Sequence, residues 1–196
     1  TINDAEVAVI VNEDRFECSL AEGSNGFYQY LGSDLNISSG DQISIEIDWQ
    51  GQSITGESTV PRSPAGLELE SNIMEIPNFS DWQSLLDWRY SETREVVVTW
   101  ENESEEDWFY VVLKNLEQNP TPIDISANFS EVMREIIFPP VQDNSYRIRL
   151  PLIEYLGRHE IRVYRVNSEY VDLYESRDQA TRDLNEPLTN IQGGLG

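Results

Sequence analysis

Short stretches in which apolar and polar residues alternate cover most of the chain. The clearest spans residues 42–49, where Ile43, Ile45, Ile47 and Trp49 alternate with polar residues. A period of two places successive side chains on opposite faces of a β-strand, which predicts one buried and one solvated face. Similar runs predict strands at residues 7–11, 15–20, 26–31 and 52–60. Turn residues separate these runs, so the pattern predicts an antiparallel meander with a tight hairpin at Gln50-Gly51.

A break rich in proline follows this first β region. Pro61 and Pro64 cannot donate to a β-ladder, so they favour a domain boundary near residues 61–66. Further along, Ser80 and Gln83 form the capping-box pattern Ser-x-x-Gln. Apolar residues at helical spacing come next, namely Trp82, Leu85 and Leu86. We therefore predict a linker that contains a short helix.

The alternating pattern returns at Arg94 and continues to about Val166. It predicts strands at residues 95–101, 108–116, 129–138, 146–150 and 160–166. Asn167 is predicted to cap a C-terminal amphipathic helix at residues 168–184. This helix is expected to dock on the second module through Tyr170, Leu173, Tyr174 and Leu184.

The predicted fold class is mainly β, with two antiparallel β-sandwich-like modules and a C-terminal amphipathic helix. The N-terminal β-sandwich-like module takes residues 1–62, and the linker with its short helix takes residues 63–92. A second β-sandwich takes residues 93–167, and the C-terminal helix with a glycine-rich tail takes residues 168–196. Sandwiches host many functions, so function has to be argued from particular residues.

The charge balance excludes one class of partner. The chain has 36 Asp and Glu against 13 Lys and Arg, a formal net charge of -23. Nucleic acid needs a basic footprint that releases counterions, so we expect no nucleic-acid partner. An anionic membrane surface is disfavoured for the same reason. The only cysteine, Cys18, shares a strand face with Phe16 and Leu20, which favours a buried structural thiol.

The sequence favours a protein that is not an enzyme. His159 is the only histidine, so no triad of histidine metal ligands and no pair of imidazoles can be built. The 36 acidic residues leave a carboxylate-dependent hydrolase open as an alternative, because two of them facing each other in a cleft would suffice. No metal or cofactor is expected apart from calcium.

Two groups of residues are candidates for ligand binding. Glu101, Glu103, Glu105 and Asp107 lie in one predicted loop between strands, where their oxygens could bind calcium. A solvated acidic loop explains the same residues. Trp82, Trp88 and Tyr90 could form a platform for stacking sugars, which would make the chain a carbohydrate-binding protein. Packing in a hydrophobic core is the alternative for these aromatic residues.

The second β region resembles a fibronectin type III or immunoglobulin-like sandwich. Three stretches carry this resemblance: Val-Thr-Trp ending at Trp100, Trp-Phe-Tyr-Val-Val-Leu from Trp108, and Leu-Gly-x-His-x-Ile-x-Val-Tyr-x-Val at residues 156–166. His159 stands where such domains keep the tyrosine of their tyrosine corner. The resemblance implies a fibronectin type III-like module at residues 93–167.

Nearly the whole chain resembles a family of Bacteroidetes surface lipoproteins of unknown function, often encoded beside TonB-dependent receptors. The resemblance rests on three stretches: Asp-Ala-Glu-Val at residues 4–7, Ile-Thr-Gly-Glu-Ser-Thr-Val-Pro at 54–61, and Glu-Pro-Leu-Thr-Asn-Ile-Gln-Gly-Gly-Leu-Gly at 186–196. The resemblance implies an extracytoplasmic, cell-surface protein of the outer membrane, held by a lipid anchor outside this segment. A TonB-dependent receptor or another surface protein is the implied partner. We therefore expect a binding or assembly module in nutrient uptake.

Overall fold

The computed structural model describes residues 1–23, 25–123, 134–179 and 190–194. The chain forms two compact units. The first unit is Thr1–Ser63 with Asn167–Gly196, and the second unit is Pro64–Val166. The predicted fold class is confirmed, because antiparallel sheets dominate the described residues, which also contain two α-helices. Within the described residues, no helix has the length and apolar character needed to cross a membrane.

The first unit contains one antiparallel sheet in the order β12-β5-β4-β1-β2-β3. Its strands are β1 Glu6–Val11, β2 Asp14–Leu20, β3 Tyr28–Gln29, β4 Gln42–Trp49, β5 Gln52–Thr59 and, as the last strand of the chain, β12 Ile191–Gln192. The hairpin between β4 and β5 turns at Gln50 and Gly51, with φ of 51° and 79°. Two successive residues with positive φ form the turn that matches strand twist, which confirms the predicted tight hairpin.

The strand register sorts apolar and polar side chains onto opposite faces of this sheet. Val7 lies opposite both Cys18 and Ile47, and Val9 lies opposite Phe16 and Ile45. The other face is polar, and there Arg15 of β2 pairs with Glu17 and Glu46. The tail strand joins the sheet at Gly56, which lies opposite Ile191. A Cβ on Gly56 would lie 2.6 Å from Ile191 Cδ1, so glycine allows this close approach.

Helix α2, Ser168–Gln179, belongs to the first unit. Asn167 precedes it and donates a side-chain hydrogen bond to Ser58 Oγ of β5. Val171 is 5% exposed, whereas Leu173 is 52% exposed. The prediction that the helix docks on the second module is therefore wrong, because α2 groups with the first unit. Its predicted packing through Leu173 is also wrong, whereas Tyr170 and Tyr174 are half-buried. Successive helical residues are 100° apart, so Leu173 lies 200° from Val171, on the opposite side. Leu184, the last residue of the predicted stripe, lies outside the described residues.

The second unit has two sheets of three strands, in the orders β10-β7-β6 and β11-β8-β9. Its elements are β6 Ala65–Leu69, α1 Trp82–Ser91, β7 Glu95–Glu101, β8 Trp108–Asn115, β9 Glu135–Ile137, β10 Ser145–Arg149, a 3-10 turn Leu150–Leu152 and β11 His159–Val166. Alternate residues of β7 and β8 fill one hydrophobic core, namely Val96, Val98, Trp100, Phe109, Val111 and Leu113. These inner faces define a sandwich.

Helix α1 closes part of this core. Leu85 and Trp88 are its buried residues. The cap is Asp81, one residue after the predicted Ser80, because the Asp81 carboxylate accepts a hydrogen bond from the Ser84 backbone N–H at 2.8 Å. Near the helix end, the Arg89 guanidinium donates to both carboxylate oxygens of Glu154, at 3.1 and 2.9 Å. This paired contact ties α1 to the segment between β10 and β11.

Candidate functional site

A cavity of about 500 Å³ opens at one end of the second unit, between its two sheets. Val96 of β7 and Ile148 of β10 line it from one sheet, and Leu113 of β8 and Ile161 of β11 line it from the other. Leu69 at the end of β6 and His159 at the start of β11 also line it. The remaining lining residues belong to three connecting segments and are Ser71, Asn72, Ile73, Met74, Ile76, Leu116, Ile153, Tyr155, Leu156, Gly157 and Arg158. A volume of this size falls within the range of small-molecule sites, about 300–1,000 Å³.

The lining includes large aliphatic side chains that remain exposed to solvent. Leu69, Ile73, Leu116 and Leu156 are between 42% and 75% exposed. Contiguous apolar surface is costly in water, and it marks binding sites more often than scattered single residues do. The cavity therefore joins an apolar interior to an apolar rim.

A pair of polar side chains supports the wall of the cavity. Asn115 is buried, and it donates from Nδ2 to the Leu156 carbonyl at 3.2 Å. The Glu117 backbone N–H donates to Asn115 Oδ1 at 3.0 Å, which fixes the orientation of the amide. Asn115 Nδ2 also lies 3.2 Å from His159 Nε2. The amide must donate there, so Nε2 accepts.

This network assigns the proton of His159. Because Nε2 accepts, the proton is on Nδ1, which donates to the Gly157 carbonyl at 3.1 Å. Burial of the ring lowers the pKa of His159 below its usual range. The imidazole is thus a neutral structural group, with both nitrogens engaged by protein atoms.

The loop before His159 is held in a conformation that only glycine tolerates. Gly157 has φ of 102°, and a Cβ there would lie 2.5 Å from Glu117 Cγ. Glu117 in turn accepts a hydrogen bond from the Arg158 backbone N–H at 2.9 Å. That bond is the main reason why the pKa of Glu117 lies below its usual range. The guanidinium of Arg158 reaches the same carboxylate at 3.5 Å.

The chemistry of the lining suits binding of apolar groups. None of the described lining residues is Asp or Glu. The cavity therefore does not provide the pair of facing carboxylates that the alternative hydrolase requires. Its polar side chains lie among aliphatic ones and can orient a ligand by hydrogen bonds.

The structure does not assemble the predicted calcium site. Glu101, Glu103 and Glu105 are exposed, and Asp107 instead faces Arg165 at 3.5 Å. The loop is shaped by side chains that accept backbone N–H bonds, Asn102 from Ser104 and Ser104 from Glu106, at 3.1 and 3.2 Å. These turns do not bring the carboxylates together. Across the described part of the chain, no group of three or more His, Cys, Asp or Glu could hold a metal ion.

The three residues of the predicted aromatic platform all lie on helix α1, but the helix does not bring them together. Trp88 is 9% exposed, packs on Phe79 with ring centroids 5.2 Å apart, and donates from Nε1 to Glu92 at 2.8 Å. It cannot offer a face to a sugar. Trp82 and Tyr90 are exposed, but they are eight residues apart, or about 12 Å along the helix axis. The three residues therefore do not share one stacking surface.

A second pocket, of about 670 Å³, lies on the apolar face of the first unit. Strand residues such as Val9, Ile45 and Ile47 line it, together with Thr1 and Ile2 near the start of the chain. Cys18 also lines this pocket and is partly exposed, so its thiol is less buried than the sequence predicted. The Tyr28 hydroxyl accepts from the Ala5 N–H at 3.0 Å and thereby holds the segment before β1 against the sheet.

Sequence reasoning did not identify the residues of the cavity in the second unit. Asn115 is the last residue of β8 and lies on the same buried face of the strand as Leu113. A polar residue at such an inward position was the one feature of the sequence that could have indicated this site. Scans with protein-family models, and searches of curated proteins and of solved structures, return no significant match for this chain.

Proposed function

We propose that this protein is a non-catalytic binding module and that the cavity of the second unit takes the apolar part of its ligand. One observation carries the proposal. Four large aliphatic side chains stay exposed among the residues that line a single cavity, which continues inward to the core residues Val96 and Ile148. A ligand that covers this surface gains hydrophobic free energy, about 25 cal/mol for each Å² of apolar area removed from water.

The proposed location is the cell surface, at the outer membrane. The resemblance of residues 4–7, 54–61 and 186–196 to surface lipoproteins supports it. The sheet orders β10-β7-β6 and β11-β8-β9 also support an immunoglobulin-like arrangement for the second unit, a common scaffold for surface domains. In this role the protein would hold its ligand beside a TonB-dependent receptor or another surface protein.

Binding can be tested with N-phenyl-1-naphthylamine, a small apolar dye whose fluorescence rises when it leaves water. Leu69 and Leu67 form a matched pair on β6, because they are 44% and 50% exposed but only Leu69 lines the cavity. We expect saturable binding that Leu69→Asp weakens about tenfold or more, since a carboxylate in an apolar site costs more than about 1.4 kcal/mol. Leu67→Asp should change the affinity less than about twofold.

The pocket of the first unit needs its own control. Cys18 is the only cysteine and lines that pocket, so N-ethylmaleimide can add a bulky group there without any substitution. Alkylated protein should bind the dye as the unmodified protein does. Loss of binding on alkylation, or equal effects of Leu69→Asp and Leu67→Asp, would contradict the proposed site.

The proposed location has a separate test. Native membranes of the source organism can be solubilised in mild detergent, and the protein can be captured with an antibody. A TonB-dependent receptor or another outer-membrane protein should be enriched in the captured material. Recovery of the protein only from the cytosolic fraction would contradict the proposal.

A further inference from the structure

We infer that the ligand of this cavity is a flexible aliphatic chain with an uncharged polar head group. The inference rests on the proposed function and names the class of ligand. It follows from the kind of side chains in the interior of the cavity and from the charges of its polar lining residues.

The interior favours a flexible chain over a sugar or a flat ring. Eleven of the lining residues are Leu, Ile, Val or Met, and Tyr155 is the only Phe, Tyr or Trp among the described ones. Sugars bind through stacking on aromatic rings and through dense hydrogen bonding. The aliphatic side chains that line the cavity offer neither, but they remove the methylene groups of a ligand from water efficiently. Met74 adds a flexible side chain that can adapt to chains of different length.

The polar lining favours a head group without charge. Arg158 is the one permanently charged side chain among the described lining residues, and its guanidinium and backbone N–H both contact Glu117. A carboxylate ligand would have to compete with Glu117 for that cation. It would also approach a protein with a formal net charge of -23.

Neutral groups remain to receive the head. Ser71 and Asn72 lie in the lining segment that follows β6, and among the described residues the Ser71 hydroxyl has hydrogen bonds with the backbone of Ile73, at 2.9 and 3.4 Å. His159 is neutral and fully engaged, as described above. Hydroxyl groups of a ligand can therefore exchange hydrogen bonds at the lining without an ion pair.

The preference for an aliphatic chain in the ligand can be tested by displacing the bound dye with 1-alkanols of six to twelve carbons, kept below their solubility limits. Each added methylene should lower the dissociation constant about fourfold, which corresponds to about 0.8 kcal/mol, until the cavity is full. The gain should then stop. The Leu69→Asp variant should bind every alcohol more weakly, and Leu67→Asp should follow the unmodified protein.

The head group can be tested by comparing 1-octanol with octanoate at pH 8 and low ionic strength. Octanol should bind about tenfold or more tightly than octanoate, and added sodium chloride should narrow the difference by screening the protein's charge. Tighter binding of octanoate than of octanol would overturn the inference of an uncharged head.

A third experiment, with phosphatidylcholine vesicles, tells whether the aliphatic ligand is a free amphiphile or a lipid in a membrane. Saturable binding of monomeric alcohol without co-sedimentation of the protein is expected for a free amphiphile. Co-sedimentation without binding of the monomer would overturn the inference. If the dye binds as proposed but alkanol affinity does not rise with chain length, the inference fails and the proposed function stands. If the dye does not bind at the cavity, both fail.

Discussion

The amide Nδ2 of Asn115 lies 3.2 Å from Nε2 of His159, and the two residues are partners in the register of β8 and β11. Protonation of Nε2 would set two donors against each other, because the Glu117 N–H holds the amide in its orientation. The last pair of this ladder therefore depends on a neutral imidazole at the edge of the cavity.

The first prediction is that His159 makes stability depend on pH. Its pKa is lowered by burial, so folding favours the neutral ring. The stabilisation of the fold by the neutral ring is complete above the pKa of the ring in the unfolded protein, about 6.5. It is lost as pH falls from 6.5 toward the lower pKa of the folded protein. The difference in unfolding free energy between the protein and His159→Gln should thus shrink between pH 8 and pH 5. An NMR titration of the ring should give a pKa below 6.5, and a value above it would contradict the assignment.

The second prediction concerns Glu92, whose pKa is lowered to about 2, first by the side chain of Arg94, then by the Arg94 backbone N–H, and also by Trp88. A lowered carboxyl pKa stabilises the fold above about 4.5, and this stabilisation is lost as pH falls toward 2. Glu92→Gln should therefore be less stable than the protein at pH 7 and equally stable near pH 2. Glu70→Gln, at an exposed position of the same unit, is the control and should show no such difference. Denaturant titrations at several pH values measure the difference in unfolding free energy between the protein and each variant.

The third prediction separates backbone strain from steric clash at glycine. Gly157 and Gly40 both have positive φ, 102° and 92°, but a Cβ on Gly40 would meet nothing within 4 Å. Gly40→Ala should cost about 1–2 kcal/mol from the backbone alone. Gly157→Ala should cost more, because its Cβ would push Glu117 and thus the loop of Arg158. It should also weaken dye binding, whereas Gly40→Ala should not. Equal costs and equal dye affinities would contradict the proposed rigidity of the loop.

Local sequence rules predicted the parts of the fold that depend on neighbours in the chain. The hairpin at Gln50-Gly51 and strand β4 follow from turn chemistry and from period-two alternation. The cap of α1 was predicted one residue early, because Ser80 and Asp81 both suit the position and the carboxylate accepts the N–H bond. Such errors of one residue arise where two adjacent residues can serve the same role.

Features that depend on long-range packing could not be predicted from the sequence. The cavity brings together residues from β6 to β11, and no local pattern records its volume. Trp88 and Trp82 lie on one short helix, yet only Trp88 joins the hydrophobic core of the second unit, where it packs on Phe79. Residues 102–107 form the predicted acidic loop, whereas Glu101 ends β7, and the turns of the loop decide where the carboxylates lie.

The fourth prediction is that salt stabilises the fold. A formal net charge of -23 opposes compaction by self-repulsion. The Debye length falls from about 10 Å at 0.1 M to about 3 Å at 1 M, so added salt screens most exposed pairs of carboxylates. The melting temperature should rise between low and molar sodium chloride, and sucrose of equal osmolality gives the control for exclusion effects. An unchanged or lower melting temperature in salt would contradict it.

The last prediction concerns which residue anchors helix α2. Val171 is 5% exposed and Leu173 is 52% exposed, although leucine is the larger side chain. Val171→Ala removes two buried methyl groups, worth about 0.8 kcal/mol each, and part of this loss is offset by the higher helix propensity of alanine. A net cost of about 1 kcal/mol is expected. Leu173→Ala should cost less than about 0.5 kcal/mol, since its side chain keeps half its exposure and alanine favours the helix.

Hydrogen exchange at the amides of α2 measures this difference directly. A helix of 12 residues is marginal on its own, so its protection reports packing of its buried side. Val171→Ala should raise exchange rates throughout the helix, while Leu173→Ala should leave them nearly unchanged. The reverse order would mean that Leu173 anchors the helix after all. Because the chain has two compact units, and two-state unfolding is not assured for such chains, amide-resolved rates are more informative than a single melting temperature.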